Sequence, residues 1–124
     1  MIEEKFWNHF FVVHTFVSGE ARKEYLTPPE KRNPPQKQLT EKKWAEEAVG
    51  DFAQCMQTWV GNDDFLYCHW MANSEDDVYR QLDIWELEGK IVISKVNEIH
   101  QFVTAYRASD TVIREYPVND GRWI

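Results

Sequence analysis

Residues 6–17 read Phe-Trp-Asn-His-Phe-Phe-Val-Val-His-Thr-Phe-Val, an aromatic and β-branched run that is apolar at both odd and even positions. A strand sends alternate side chains to opposite faces, so this run predicts a strand covered on both sides. Phe65-Leu66-Tyr67-Cys68-His69-Trp70-Met71 repeats the pattern. The fold must therefore shelter two faces of at least two strands.

The segments between these runs supply the rest of the frame. Residues 20–38 form a long polar stretch carrying Pro28-Pro29 and Pro34-Pro35. Paired prolines forbid a continuous helix, so the stretch is expected to be a surface loop or a lid over a pocket. Thr40 is placed to cap a first helix, in which Trp44, Ala48, Val49, Phe52 and Met56 recur at helical spacing; the helix should end near residue 53 or 54. A short strand at 56–60, the turn Gly61-Asn62-Asp63-Asp64 and the strand at 65–71 make a hairpin. Ser74 caps a second helix, with Val78, Leu82 and Trp85 on one face and Gly89 as its stop. A last strand covers 91–99, with an extension through 102–106 and a short strand at 112–116 as further expectations.

Strand, helix, strand, strand, helix, strand predicts an α+β fold, a ferredoxin-like βαββαβ sandwich over residues 1–124. Its antiparallel sheet should be ordered 4-1-3-2 with both helices on one face, leaving 20–38 as a loop and 107–124 as a C-terminal extension. Two helices cover only one face. The other is expected to be hidden by a second copy of the chain, in a homodimer of the dimeric α/β-barrel kind, with the proline-rich loop and the tail as the alternative cover. Six Trp, seven Phe and five Tyr exceed what one small core encloses, which also points to a partner or a cavity.

Charge and spacing remove several function classes. A net charge of −7, from 21 acidic and 14 basic side chains with no basic stripe, argues against nucleic acid. The N-terminal Met1-Ile2-Glu3-Glu4-Lys5 lacks the basic region of a signal peptide, and the apolar run 10–13 is too short to span a bilayer. A cytoplasmic location is the expectation. Two cysteines, Cys55 and Cys68, make no disulfide or zinc framework, and five scattered glycines make no phosphate loop.

The segment from Trp59-Val60-Gly61-Asn62-Asp63-Asp64 through Cys68-His69-Trp70 to Asn73-Ser74 and Val78 resembles the hairpin and helix of a small bacterial ferredoxin-like family that includes a nickel-binding member. His14 near the end of the first strand resembles a histidine of that family. The likeness covers roughly 6–17 and 44–99, and it implies the fold and a dimeric assembly. The family's metal binders carry a histidine in the first helix; residues 40–54 hold none.

The candidate chemistry rests on histidines. With the first strand between the third and fourth, His14, His69 and His100 come from three neighbouring strands and form the candidate metal set, for Ni or Zn. The candidate ligand pocket is His14, His69, Tyr67, Phe16 and Trp70, with Trp7 and Phe10 as further wall material. Strand parity separates Cys68 from His69. Cys68 shares a face with Leu66, Trp70 and Ala72 and is read chiefly as a buried small hydrophobe. Glu98 and His100, two apart, are read as an exposed ion pair. The functional expectation is a module binding a small molecule or a divalent metal. The alternatives are a homodimeric interaction protein without ligand, and a cofactor-free monooxygenase or isomerase using His14 or His69 as base.

Overall fold

The computed structural model describes residues 5–113. Along the chain they form β1 (Asn8–Phe16), α1 (Gly19–Leu26), a 3-10 turn (Pro29–Lys31), α2 (Glu41–Glu47), β2 (Ala53–Val60), β3 (Phe65–Ala72), α3 (Glu75–Ile84) and β4 (Val92–Ile99). The strands make one antiparallel sheet in the order β2-β3-β1-β4, the order expected from the sequence read from its other edge. No helix among the described residues is long and apolar enough to cross a membrane.

Parity then decides what each face carries. Phe10, Val12, His14 and Phe16 of β1 are all buried, as are Leu66, Cys68, Trp70 and Ala72 of β3 and Val92 and Val96 of β4. All but His14 form one apolar cluster with Ala48 after α2 and with Val78 and Leu82 of α3, while Leu26, Trp44 and Trp85 pack at its margin. Fully burying a side chain such as Phe10 or Leu82 stabilises by roughly 1.5–3 kcal/mol, so this layer holds the fold together. The opposite face presents His9, Phe11, Val13 and Thr15 of β1 beside Phe65, Tyr67, His69 and Met71 of β3. It is less well covered: His9 is buried there, but Trp59 is 44% exposed, Phe65 38% and Ile93 62%.

A bulge between Cys55 and Gln57 interrupts the β2–β3 ladder. Plain alternation would put residues 55, 57 and 59 on one face; the extra residue turns Thr58 to the face of Cys55 and pushes Met56 out to solvent. The expectation that Met56 belongs to a helical core stripe is corrected by this bulge.

Three further expectations are revised. Residues 19–26 of the supposed loop are helical: Ser18 accepts a hydrogen bond from the Ala21 N–H, and the prolines begin only after the C-cap Thr27. α2 starts as expected, with Thr40 accepting from the Lys43 N–H, but stops at Glu47, since Gly50 and the bridge from Val49 to Gln54 turn the chain into β2. α3 begins at its Ser74 cap and ends at Ile84. Glu86, at φ 58°, makes the left-handed exit, and Gly89, at φ 82°, serves the later turn into β4. No strand continues through 102–106, and the short strand expected at 112–116 lies mostly outside the described residues.

Candidate functional site

β1 and β3, the two central strands, place His14, Leu66, Cys68 and Trp70 on the helix-covered face, and β2 adds Cys55 and Thr58 beside them. The helices do not fill the space above these residues. A cavity of about 250 Å3 remains, closed by Tyr25 of α1, Leu39 of the proline-rich segment, Trp44 of α2 and Trp85 after α3. An adjoining groove runs along residues 25–46 and shares Tyr25, Leu39, Trp44, Glu47 and Thr58 with the cavity. The proline-rich segment thus reaches the cavity wall only through Leu39 at its end, while Pro28 and Pro29 stand on the bank of the groove beside it.

A polar string runs along the floor of this apolar cavity. The His14 Nδ1 lies 2.6 Å from the Ser94 hydroxyl, which sits directly opposite on β4. Ser94 is itself fixed, because its N–H donates to a Glu88 carboxylate oxygen at 2.9 Å and its carbonyl accepts from the Tyr79 hydroxyl at 3.1 Å. The Cys68 thiol donates to the Thr58 hydroxyl at 3.3 Å, and His14 and Cys55 share the cavity wall with it. The contact from Cys55, with help from His14, holds the Cys68 thiol below the ordinary thiol range despite its burial. The same contact and burial push Cys55 above that range. Burial and the neighbouring thiols push the Tyr25 phenol up to about 12. The indole Nε1 of Trp70, in the cavity wall, is buried without a hydrogen-bond partner. A buried donor left unpaired costs about 1–3 kcal/mol.

The other face carries a different constellation. His9 Nδ1 and His69 Nε2 are 2.8 Å apart across the β1–β3 pair, and Phe102 packs edge-on against both rings. Burial and then the nearby His69 lower the His9 pKa to about 4; burial lowers that of His69 as well. One ring donates and the other accepts, so both are neutral in the pair.

The geometry divides the residues singled out from the sequence. His14 and Trp70 line the cavity, while Tyr67 and His69 lie on the opposite face of the sheet. Phe16 is buried in the core beside Tyr25, Phe10 is core throughout, and Trp7 is 68% exposed. His14, His69 and His100 are not brought together: His100 lies beyond β4 with its Nε2 3.8 Å from Glu98. Among the described residues no three His, Cys, Asp or Glu side chains gather as a metal site would require. Sequence reasoning left Cys55, Thr58, Tyr25 and Ser94 out of the candidate site; Cys68 is the buried core residue it was read as, and it also borders the cavity. The available signal was that Cys55 and Cys68 fall on hairpin partners; using it required the bulge, which no residue type announces. Comparison of the chain with protein-family models, curated proteins and solved structures finds no match.

Proposed function

We propose that this chain is a ferredoxin-like small-molecule-binding protein whose ligand occupies the cavity between the sheet and the helices. The observation that carries the reading is the cavity itself, apolar over most of its wall yet lined also by His14, Cys68 and Thr58. Such a lining suits a small, largely apolar molecule with one hydrogen-bonding end. About 250 Å3 accommodates a single substituted ring rather than a nucleotide or a peptide.

Calorimetric titration with p-cresol, set against toluene, tests this. The expected result is saturable heat with a dissociation constant on the order of 0.1–1 mM for p-cresol, and weaker binding of toluene, which lacks the hydroxyl. Absence of heat, with an unchanged melting temperature at saturating p-cresol, would contradict the reading. The nickel or zinc form of the function has less support, since the candidate histidines lie on two faces of the sheet.

A second reading, self-association in the manner of dimeric α/β barrels, is favoured by the uncovered face. Phe11, Val13, Tyr67 and Met71 are only half-buried there, flanked by exposed Trp59 and Phe65. A two-fold partner would bring the same apolar patch to meet it. Light scattering at micromolar concentration should return twice the 14.8 kDa of one chain, and Tyr67→Ser should shift the mass toward one chain. A wild-type mass of one chain would remove this second reading and leave the first standing.

A further inference from the structure

Two thiols and an imidazole meet on the floor of the cavity, and ligand binding alone uses neither sulfur as a nucleophile. We propose that Cys68 and Cys55 are a redox-active pair that reduces small organic hydroperoxides entering the cavity, with Cys68 the attacking and Cys55 the resolving thiol. The proposal deepens the small-molecule reading and rests on that cavity admitting its ligand.

The placement is geometric first. Cys55 and Cys68 project from neighbouring antiparallel strands to the same face, and the β2 bulge lies directly after Cys55. Their direct cross-strand partners are Trp70 for Cys55 and Thr58 for Cys68, so the two thiols are diagonal neighbours on one face of the β2–β3 pair. His14 lines the same wall from β1, the strand next to that of Cys68 but not to that of Cys55. Its imidazole is locked by Ser94. The Cys68 thiol also donates to the Thr58 hydroxyl, which can turn to donate to the sulfur once the thiol has lost its proton. Both sulfurs border the cavity, so a hydroperoxide held there needs no opening of the core to reach them.

The chemistry balances with the hydroperoxide as oxidant. Cys68 gives its proton to His14, and the thiolate sulfur attacks the terminal peroxide oxygen. The S–O bond forms as the O–O bond breaks, and the departing alkoxide takes the proton from His14 and leaves as an alcohol. Sulfur is oxidised to sulfenic acid. The Cys55 sulfur then attacks the Cys68 sulfur; the S–S bond forms, the S–O bond breaks, and hydroxide leaves with the Cys55 proton as water. An external dithiol reductant returns the pair to the reduced state.

Cumene hydroperoxide added to the fully reduced chain tests the assignment, with peptide mass mapping and dimedone capture as readouts. Wild type should form an intramolecular Cys55–Cys68 disulfide. Cys55→Ser should accumulate a dimedone adduct on Cys68, whereas Cys68→Ser should leave Cys55 at least about tenfold less reactive. His14→Gln should slow capture at Cys68 and flatten its pH dependence, which loss of packing alone would not do. Circular dichroism of each serine variant establishes that it is folded. Equal reactivity of the two cysteines, an intermolecular disulfide, or no oxidation would overturn the proposal. If p-cresol binds while the thiols stay inert, only the redox pair fails; if the disulfide forms while p-cresol gives no heat, the ligand reading fails instead.

Discussion

The two faces of the sheet are built from the same four strands, yet they treat the same residue types in opposite ways. On the covered face a histidine, His14, is fixed by a serine and set against a cysteine beneath three helices. On the open face two histidines, His9 and His69, satisfy each other under Phe102. The covered face sets an imidazole and two thiols in the wall of a cavity. The open face spends its imidazoles on a structural pair and leaves its aromatic rings half in water. A residue type thus acquires a role from the face that strand parity assigns it.

The largest expected effect separates the faces by packing. Phe10→Ala removes a ring that is 1% exposed on the covered face and should cost about 3–5 kcal/mol in denaturant unfolding. Phe11→Ala, one residue along but on the open face, should cost less than half as much. Equal losses would mean that the open face is as deeply buried as the covered one, and the contrast would be broken.

Gly50→Ala probes the edge of the covered layer. A methyl group there would overlap the carboxamide of Gln81, whose Oε1 accepts from the Phe52 N–H at 2.8 Å. Gln81 is itself buried and cannot swing aside freely, so a loss of roughly 1–3 kcal/mol is expected by thermal or denaturant unfolding. A neutral result would show this corner of the covered face to be loosely packed.

The histidine pair makes the open face sensitive to acid. In the unfolded chain both imidazoles take up protons as pH falls through about 6.5, whereas folded His9 resists to about 4. The unfolded state therefore binds more protons between these values, and stability should fall as pH drops from about 6.5 to 4 and level off below. Because His69 is only half-buried, water screens the pair and the loss should be roughly 1–2 kcal/mol. The difference should vanish in a His9→Gln/His69→Gln double variant, measured by denaturant midpoints across that window. The smallest effect tests the helical cover: Ser74→Ala removes the cap that accepts from the Asp77 N–H and should cost about 1 kcal/mol.

Strand parity was legible in the sequence because alternation is a local property. The separation of Cys68 from His69 and the neighbours of His14 follow from it. The order of the sheet follows instead from the succession of strands and helices with right-handed crossovers. α1 was hidden by its neighbours: Ser18 followed by Ala, Arg, Lys, Glu and Leu is good helix material, but the prolines from Pro28 onward dominate the composition of the whole segment. The site was only half legible. His14 and Trp70 could be assigned to one face, but pairing His14 with His69 ignored the parity that had separated Cys68 from its neighbour. Cys55 could not be placed because a bulge shifts register without leaving a signature in residue type. The cavity depends on where three helices stop short of the sheet, which is a property of packing and not of pattern.

The indole N–H resonances read both faces at once, since Trp70 borders the cavity and Trp59 stands on the open face. In a two-dimensional 1H–15N spectrum titrated with p-cresol, with each indole signal identified by its Trp→Phe variant, the Trp70 resonance should move saturably and that of Trp59 should stay in place. Movement of Trp59 without Trp70 would place the ligand on the open face and contradict the account.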